Sequence, residues 1–499
     1  MGSLPEGEYS STSHHSSILQ EVLGESAASN SIIRSYTRSF NRFAARLSDE
    51  EQQIIAKSFS DEGYGPPPKK WKGTCAGGTN FTCNHYKLGS ESSLARDEIG
   101  HGIHTASTAA GNKVPDTSFY GMAKDNAHGG VPFARIAAYK VCGEGDCLDL
   151  YILAAFDDAI ADGVVVTISV GGDYASPFEI VSSKAGNSGP TPSTVSSVAP
   201  WLFSIAANSI DGKFIIKFAL ANGQTLIASG RKEAFKAGAI GAITTNDGRD
   251  DIASIVPLPT SALTDKDHDI VKSFINSTKA PGDNRSSKYN ILSGTSMSCP
   301  HVTGPVAYIK TFHPDWSPSA IKSALMTTAW PMNVTKQVDD VYGECEFAFR
   351  AGHINPVKAI ELGLVYEALK EDYIKMLSSI QISYFGTCPK GVKGSPKDLN
   401  YPSMQALVES DKSFTVKFPK IVTNVGTSNS TYKVKVITDS HINVSVKPSS
   451  LSFKSLGEKQ SFVVIVSRKG LPAKARVFAS IVWSDDTHNV TSPIVVYTK

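Results

Sequence analysis

The spacing of apolar and polar residues changes along the chain and predicts several kinds of element. Residues 17–26 have the spacing of an amphipathic helix, and residues 32–47 have the pattern of a strand, a turn and a second strand. Residues 148–161 carry a helical apolar stripe that ends before Gly163, and a nearly continuous apolar run follows at 164–170. A helix, a short loop and a buried strand form the repeating unit of a parallel α/β sheet.

From about residue 399 the apolar pattern takes a period of two. Phe414, Val416 and Phe418 alternate with polar neighbours, as expected for a strand with one buried face. Further short strands are predicted at 432–436, 442–446, 462–466 and 479–483. Strands of this kind at close spacing are typical of an antiparallel β-sandwich, so we expect a separate all-β domain at the end of the chain.

One predicted helix follows the sequence Ser293-Gly294-Thr295-Ser296-Met297-Ser298-Cys299-Pro300-His301 and should run to Lys310. Gly294 permits a tight turn. The Ser296 hydroxyl would then lie near a helix N-terminus, where N–H groups and the helix dipole favour a developing anion, as a nucleophilic serine requires. Pro305 should interrupt the helix, because proline removes a backbone hydrogen bond and clashes with the preceding turn. Gly-Thr-Ser is also an ordinary turn and cap, so this motif alone leaves both interpretations open.

Two further motifs are Arg96-Asp97-Glu98-Ile99-Gly100-His101-Gly102-Ile103-His104-Thr105-Ala106-Ser107 and Ala185-Gly186-Asn187-Ser188-Gly189-Pro190. With them, the chain resembles the subtilisin-like serine proteases, most closely their plant, cucumisin-like branch. The motifs occur in that family's order, and the resemblance extends from Met1 to Lys499 with gaps. It implies an α/β fold with a subtilisin-like parallel sheet and flanking helices. An α+β propeptide remnant would precede this fold, and a fibronectin-III-like β-sandwich would follow it.

The resemblance also implies the chemistry. Ser296 would be the nucleophile, His101 the general base and Asn187 the oxyanion donor of a serine endopeptidase that hydrolyses peptide bonds of proteins. Ser169, Val170 and Gly171 match the family strand that pairs with the substrate backbone, and no cofactor or metal is implied. Apart from the resemblance, Asn187 suits a turn, His101 suits a loop, and residues 169–171 suit a strand that ends in a glycine turn.

The implied domains are a propeptide remnant resembling inhibitor I9 at 1–56, a catalytic domain at 57–372 and a fibronectin type III-like domain at 399–499. A truncated protease-associated insertion is expected at about 231–279. In the family, the propeptide acts as an intramolecular inhibitor of its own protease. The match is interrupted after Ala56, between Ile180 and Lys184, after Gly230 and at about 281–285.

The first interruption removes the Asp-Thr-Gly motif that carries the third triad residue in the family. Neither Asp-Thr-Gly nor Asp-Ser-Gly occurs in this sequence, and the nearby carboxylates Asp61 and Asp97 each match another family position. Three hypotheses follow from this observation. The chain is an endopeptidase with impaired turnover, a catalytically inactive homologue that binds other molecules, or a truncated gene product.

The resemblance implies protein or peptide substrates and the chain's own propeptide as partners, and composition argues against other classes. The 499 residues are 41% hydrophobic and 19% charged, which is ordinary for a globular protein. The net charge of +2 argues against a nucleic-acid partner. No apolar run approaches the roughly 18 residues that a membrane helix needs.

The cysteines and glycosylation sequons suggest a secreted chain, and the family resemblance implies the cell wall or apoplast as its location. Cys75 and Cys83, and likewise Cys142 and Cys147, flank short loops that could close as disulfides. A metal site at a Cys-x4-Cys pair would need further ligands nearby, whereas Cys299 is expected to be a buried thiol. Sequons begin at Asn80, Asn276, Asn284, Asn333, Asn429, Asn443 and Asn489. Paired cysteines and sequons favour secretion, although the first residues lack the pattern of a signal peptide and resemble the middle of a family propeptide.

Overall fold

The structure is a computed structural model that describes only part of the chain. The described residues are 57–60, 64, 68–72, 97, 100–119, 122–142, 147, 149–164, 186–187, 195, 198–208, 292, 294–332, 351–379, 394–438 and 441–499. The backbone of short strands is also described at 32–36, 42–45, 87–88, 216–219, 225–228, 242–245 and 260–263. The predicted helix at 17–26, the substrate strand at 169–171, the Cys75–Cys83 pair and Asp61 lie outside these residues.

The chain divides into two compact units. The N-terminal unit comprises residues 1–169 and 207–304, and the C-terminal unit comprises residues 170–206 and 305–499. The helices are α1 (His101–Ala110), α2 (Asp149–Ala161), α3 (Thr295–Phe312), α4 (Pro318–Thr327), α5 (Pro356–Ile360) and α6 (Lys370–Ser379), with single 3-10 turns at Lys57–Phe59 and Pro396–Asp398. None of the helices in the described part of the chain has the length and apolar character needed to cross a membrane.

The strands of the N-terminal unit form small two-stranded sheets. They are β1 (Ile32–Tyr36), β2 (Arg42–Ala45), β3 (Lys87–Leu88), β4 (Val114–Phe119), β5 (Met122–Ala127), β6 (Tyr139–Lys140), β7 (Ile216–Ala219), β8 (Thr225–Ala228), β9 (Ala242–Thr245) and β10 (Thr260–Leu263). β1 pairs antiparallel with β2, which confirms the two strands predicted within 32–47. β3 pairs parallel with β6, and β9 pairs parallel with β10.

Helix α2 confirms the helix predicted at 148–161, and the hydrogen bonds at its end explain where it stops. Gly163 adopts a left-handed φ of +75°. Its N–H donates to the carbonyl of Ile160 at 3.1 Å, and the N–H of Val164 donates to the carbonyl of Ala159 at 3.2 Å. This pair of bonds is a Schellman motif, in which a glycine reverses the chain and satisfies the last carbonyls of the helix. A local signal in the sequence therefore ends the helix.

The C-terminal unit contains the predicted β-sandwich. Its strands are β11 (Leu364–Val365), β12 (Met404–Leu407), β13 (Phe414–Asn424), β14 (Ser430–Thr438), β15 (Asn443–Lys447), β16 (Ser450–Phe453), β17 (Lys459–Arg468), β18 (Arg476–Ser484) and β19 (Asn489–Tyr497). One sheet has the order β11-β13-β17-β15 and the other β12-β19-β18-β14-β16. Phe462 and Trp483 meet edge to face at 5.1 Å between the sheets, and both side chains are almost fully buried. Four of the five predicted strand segments lie wholly within these strands, and the fifth, 442–446, begins one residue before β15.

The segment before the sandwich is built into it. β11 pairs antiparallel with β13, so residues from well before position 399 form an edge of the first sheet. Next to β11, the Tyr366 hydroxyl and the Ser492 hydroxyl lie 2.9 Å apart, and the two residues are 1% and 0% exposed. Helix α4 begins nearby with Ser317 as its N-cap, as the sequence predicts. We conclude that residues 317–332 and 351–379 pack with the sandwich as one body within this unit.

Two buried lysines lie in the same packed region. Lys420 is 3% exposed and donates to the carbonyls of Leu399 at 2.7 Å and Tyr401 at 3.1 Å. Lys322 is 4% exposed, donates to the carbonyl of Pro200 at 2.6 Å, and lies 4.7 Å from the centre of the Tyr401 ring. Burial lowers the pKa of Lys322 to about 8. Burial also lowers the pKa of Lys420 to about 7, although the nearby carboxylate of Asp398 acts to raise it.

Candidate active site

His101 is the first residue of α1, and the backbone around it is shaped by glycine. Gly100 has a φ of +86°, a left-handed conformation that residues with a side chain rarely adopt. Its carbonyl accepts the first helical hydrogen bond, from the N–H of His104 at 3.0 Å. The imidazole of His101 therefore starts from the positive end of a helix, directly after a sharp turn.

The Asp97 side chain closes this helix terminus. Its Oδ1 accepts from the N–H of Gly100 at 2.9 Å, and its Oδ2 accepts from the N–H of Ile103 at 2.7 Å. The first N–H groups of a helix lack partners within the helix, so a carboxylate at this position acts as a cap. From the sequence alone, Asp97 is only a carboxylate near His101. An aspartate three residues before a glycine at a helix start is a capping signal that could have indicated this role.

Ser296 lies in the first turn of α3, as the sequence predicts. Gly294 has a φ of 148°, and its carbonyl accepts from the N–H groups of Met297 at 3.0 Å and Ser298 at 3.2 Å. Ser296 is 8% exposed and belongs to a buried first turn. Cys299, one turn further on, is 1% exposed, which confirms the prediction of a buried thiol.

The prediction that Pro305 interrupts this helix is wrong. Helix α3 is continuous from Thr295 to Phe312 and passes through both Pro300 and Pro305. Each proline removes one backbone donor, but Val302 and Ile309 are 6% and 0% exposed. Burial of a large apolar side chain contributes roughly 1.5–3 kcal/mol, so packing of this helix offsets the local penalty.

Helices α1 and α3 contact each other through glycine within the N-terminal unit. A Cβ atom added to Gly304 in α3 would lie 3.0 Å from the Cα of Gly130 and 3.4 Å from the carbonyl oxygen of Ala109 in α1. The loop that carries Gly130 is itself fixed to α1. The N–H of Gly130 donates to the carbonyl of Thr108 at 3.0 Å, and the N–H of Val131 donates to the carbonyl of Ala109 at 3.1 Å. The backbones therefore approach as closely as glycine allows.

The two expected catalytic residues lie equally far from this contact. His101 precedes Ala109 by eight residues, and Ser296 precedes Gly304 by eight residues. At 1.5 Å per residue, each lies about 12 Å along its own helix from the point where the helices meet. Each also lies in the first turn of its helix, where the dipole is positive. The sequence motifs thus occupy equivalent positions on two packed helices.

Two further predictions fall on residues that the structure describes. Asn187 follows Gly186, whose φ is +83°, on an exposed bend that belongs to the C-terminal unit. Cys142 and Cys147 form a disulfide, with Cα atoms 4.2 Å apart. The described residues contain no group of three or more His, Cys, Asp or Glu side chains arranged to hold a metal ion.

Comparison with known proteins identifies the family. Residues 61–352 match the model of the subtilase family, residues 1–59 match peptidase inhibitor I9, and residues 398–496 match a fibronectin type-III domain. The chain belongs to the subtilase family. It therefore combines an α/β subtilase domain with an I9 propeptide and a fibronectin type-III sandwich.

Curated relatives agree over the whole chain. Subtilisin-like proteases SBT4.9 and SBT4.8 of Arabidopsis thaliana are each 40% identical, and the matches cover all of this chain and 94% of each relative. The match with SBT4.9 spans 675 positions although this subtilase has 499 residues, so the relative contains internal segments without a counterpart here. Among solved structures, WR4 of C. elegans, an MSP family member, covers 20% of this chain at 13% identity with a TM-score of 0.13, which is too low to support an argument.

Proposed function

We propose that this subtilase is built for peptide-bond hydrolysis by Ser296, His101 and Asn187, and that its turnover as written is near background. The Ser296 Oγ would attack the scissile carbonyl while the imidazole of His101 accepts its proton. The Asn187 amide would donate to the oxyanion of the tetrahedral intermediate. His101 would then protonate the leaving amine, and a water would release the acyl group from Ser296.

The observation that carries this proposal is the contact between α1 and α3 at Gly304. This contact joins α1 to the first part of α3, which belongs to the same unit, and both His101 and Ser296 are in the first turns of their helices. A serine near a helix N-terminus gains stabilisation for the charge that develops during attack. The positions 169–171 are proposed as the strand that aligns the substrate, on the basis of the family resemblance.

Low turnover is proposed because the sequence contains neither Asp-Thr-Gly nor Asp-Ser-Gly. The triad aspartate holds the imidazole in the correct tautomer and stabilises the imidazolium that forms. In subtilisin, a relative that is the standard worked example, loss of that aspartate alone lowers kcat by about 3 × 10⁴. We expect a loss at least as large here, because a whole segment is absent.

The test is a matched assay of three proteins with a fluorophosphonate probe and a peptide substrate. The first is the chain as written. The second carries the Asp-containing segment of a relative, inserted where it is missing here. The third is this second protein with the substitution Ser296→Ala. We expect weak labelling and turnover in the first, recovery in the second and loss in the third. Robust turnover by the chain as written that disappears in its own Ser296→Ala form would contradict the proposed impairment.

The second candidate function is that of an inactive homologue that binds peptides. The absence of Asp-Thr-Gly and Asp-Ser-Gly from the sequence favours this candidate as well. It predicts that the chain with the regained segment stays as inactive as the chain as written. Sequencing of the full-length transcript across Ala56 and Lys57 separates both candidates from a truncated gene product.

We further propose an extracellular glycoprotein whose I9 segment, at about 1–56, inhibits the catalytic domain of about 57–372. The sequon residues Asn429, Asn443 and Asn489 are exposed, as oligosaccharide attachment requires. The boundaries of the fibronectin-like domain at 399–499 and of the insertion at about 231–279 remain part of this proposal. Mass spectrometry of the protein secreted from plant cells would detect glycans at these three positions.

A further inference from the structure

We propose that Asp97 is a positioning residue for His101. This inference rests on the proposed role of His101 as general base. Asp97 binds the N–H groups of Gly100 and Ile103, which stand on either side of His101 in the sequence. The backbone that carries the imidazole is therefore held by one carboxylate at two points.

The glycines next to His101 fit this arrangement. Gly100 supplies the left-handed turn that carries the chain into the helix, with a φ of +86°. Gly102 leaves space for the carboxylate, because a Cβ at this position would lie 3.1 Å from Asp97 Oδ2 and 3.6 Å from Asp97 Cγ. Such an approach is tighter than ordinary van der Waals contact, so any residue other than glycine would press on the carboxylate. The two glycines and the aspartate thus form one unit around His101.

The chemical reason for fixing this backbone is the accuracy that proton transfer requires. A general base must stay within hydrogen-bond reach of the hydroxyl that it deprotonates, and a displacement of about 1 Å can cost roughly a hundredfold in rate. Hydrogen bonds to a carboxylate are stronger than bonds between neutral groups. A carboxylate cap therefore holds the start of α1 more firmly than a hydroxyl would. The capping also engages both oxygens of Asp97 with backbone donors.

The variants Asp97→Ala, Asp97→Asn and Gly102→Ala test the proposal, with Thr105→Ala on the same helix as control. Amide hydrogen exchange at Gly100 and Ile103 measures the cap in the full chain. The NMR signals of the His101 ring measure the position of the imidazole, and they need no catalytic activity. The rate of Ser296 labelling by a fluorophosphonate, measured against pH, reports the effect on the proposed reaction.

In Asp97→Ala we expect exchange at both amides to rise roughly tenfold or more, since two charge-assisted bonds are lost. The His101 ring signals should shift, and labelling of Ser296 should slow. Asp97→Asn keeps an amide oxygen as acceptor, so its exchange and labelling should lie between those of the wild type and Asp97→Ala. Gly102→Ala should resemble Asp97→Ala at Ile103. Thr105→Ala removes an exposed hydroxyl that donates to the carbonyl of Gly102 at 3.0 Å and does not touch Asp97, so exchange at Gly100 and Ile103 should stay near the wild-type value.

Two results would overturn the proposal. Faster amide exchange with unchanged His101 ring signals would make Asp97 a local cap without influence on the imidazole. Equal, large losses of labelling in Asp97→Ala and Asp97→Asn, with the amides still protected in Asp97→Asn, would identify Asp97 as the acid that supports His101 directly. If Ser296 is not labelled even in the chain with the regained Asp-containing segment, the proposed function fails, whereas the exchange and ring measurements still decide the role of Asp97.

Discussion

Replacing Lys420 with methionine should remove a pH-dependent destabilisation from the C-terminal unit. Burial lowers the pKa of Lys420 from 10.5 to about 7 in the folded protein. Between these pH values the unfolded chain keeps a proton that the folded chain has released. The free energy of unfolding therefore rises with pH across this window, and below about pH 7 the full cost of burying the charge remains.

The expected size of the effect follows from proton linkage. One group changes the free energy of unfolding by at most about 1.4 kcal/mol per pH unit. Lys322, whose pKa is lowered to about 8, makes a second contribution to the pH dependence of the free energy of unfolding, with a similar slope above about pH 8. Lys420→Met removes the pH-dependent contribution of Lys420. It also leaves the carbonyls of Leu399 and Tyr401 without their lysine donor. Those carbonyls cost about 1–3 kcal/mol each at every pH, so they lower stability without changing the slope.

The assay is denaturant unfolding of the full chain at pH values from about 7.5 to about 9.5, with tryptophan fluorescence as the signal. The C-terminal unit contains Trp201, Trp316, Trp330 and Trp483, whereas the N-terminal unit contains only Trp71, so the signal reports mainly the C-terminal unit. Lys417→Met is the control, because Lys417 is exposed on the same strand. The reasoning is refuted if wild-type stability is flat or falls over this range, or if Lys420→Met retains the wild-type slope.

Further predictions concern both units. Tyr366→Phe should destabilise the C-terminal unit by about 1–3 kcal/mol in denaturant unfolding, because it leaves the buried Ser492 hydroxyl without its partner, and adding Ser492→Ala should recover part of the loss. Gly304→Ala should push α3 away from α1 and lower Ser296 labelling in the chain with the regained Asp-containing segment, whereas labelling at the parental rate would contradict the packing argument. For Asp485, burial acts to raise the pKa, but hydrogen bonds from His488 hold it below its usual value. The contribution of Asp485 to the free energy of unfolding should be complete above about pH 4 and lost as pH falls further. In Asp485→Asn, the free energy of unfolding measured against pH should therefore fall less steeply below about pH 4.

The parts of the fold that depend on local signals could be predicted from the sequence. Ser317 before Pro318 predicts the start of α4, and the Ser317 hydroxyl accepts from the N–H of Ala320. Gly163 predicts the end of α2 and adopts the left-handed conformation there. Alternating residues predict the five main strands, because one face of each strand is buried in the sandwich. For the two helix ends the responsible interaction joins residues within a few positions of each other, and for the strands the signal is the alternation of neighbouring residues.

Interactions between distant residues were not predictable in this way. Tyr366 and Ser492 are 126 positions apart, and neither residue type indicates a buried partner. Strand β11 has two residues, which is too short for a period-two pattern, and only its pairing with β13 reveals it. Lysine normally indicates an exposed position, so Lys322 and Lys420 gave no sign of burial. The continuity of α3 through Pro305 belongs to this group as well, because packing from other parts of the chain outweighs a local rule.

The same distinction applies to the candidate site. Sequence motifs selected His101 and Ser296, but the features that support them are backbone contacts: the Gly304 approach to Gly130 and the two hydrogen bonds of Asp97. Because all of these contacts are made by residues that the chain retains, the paired helices do not require the Asp-Thr-Gly segment for their own packing. Loss of that segment would then remove the carboxylate that orients the imidazole while the helices stay in place. This is the physical basis of our proposal that the subtilase keeps the framework of its site while its turnover is near background, and of our expectation that the regained Asp-containing segment restores turnover.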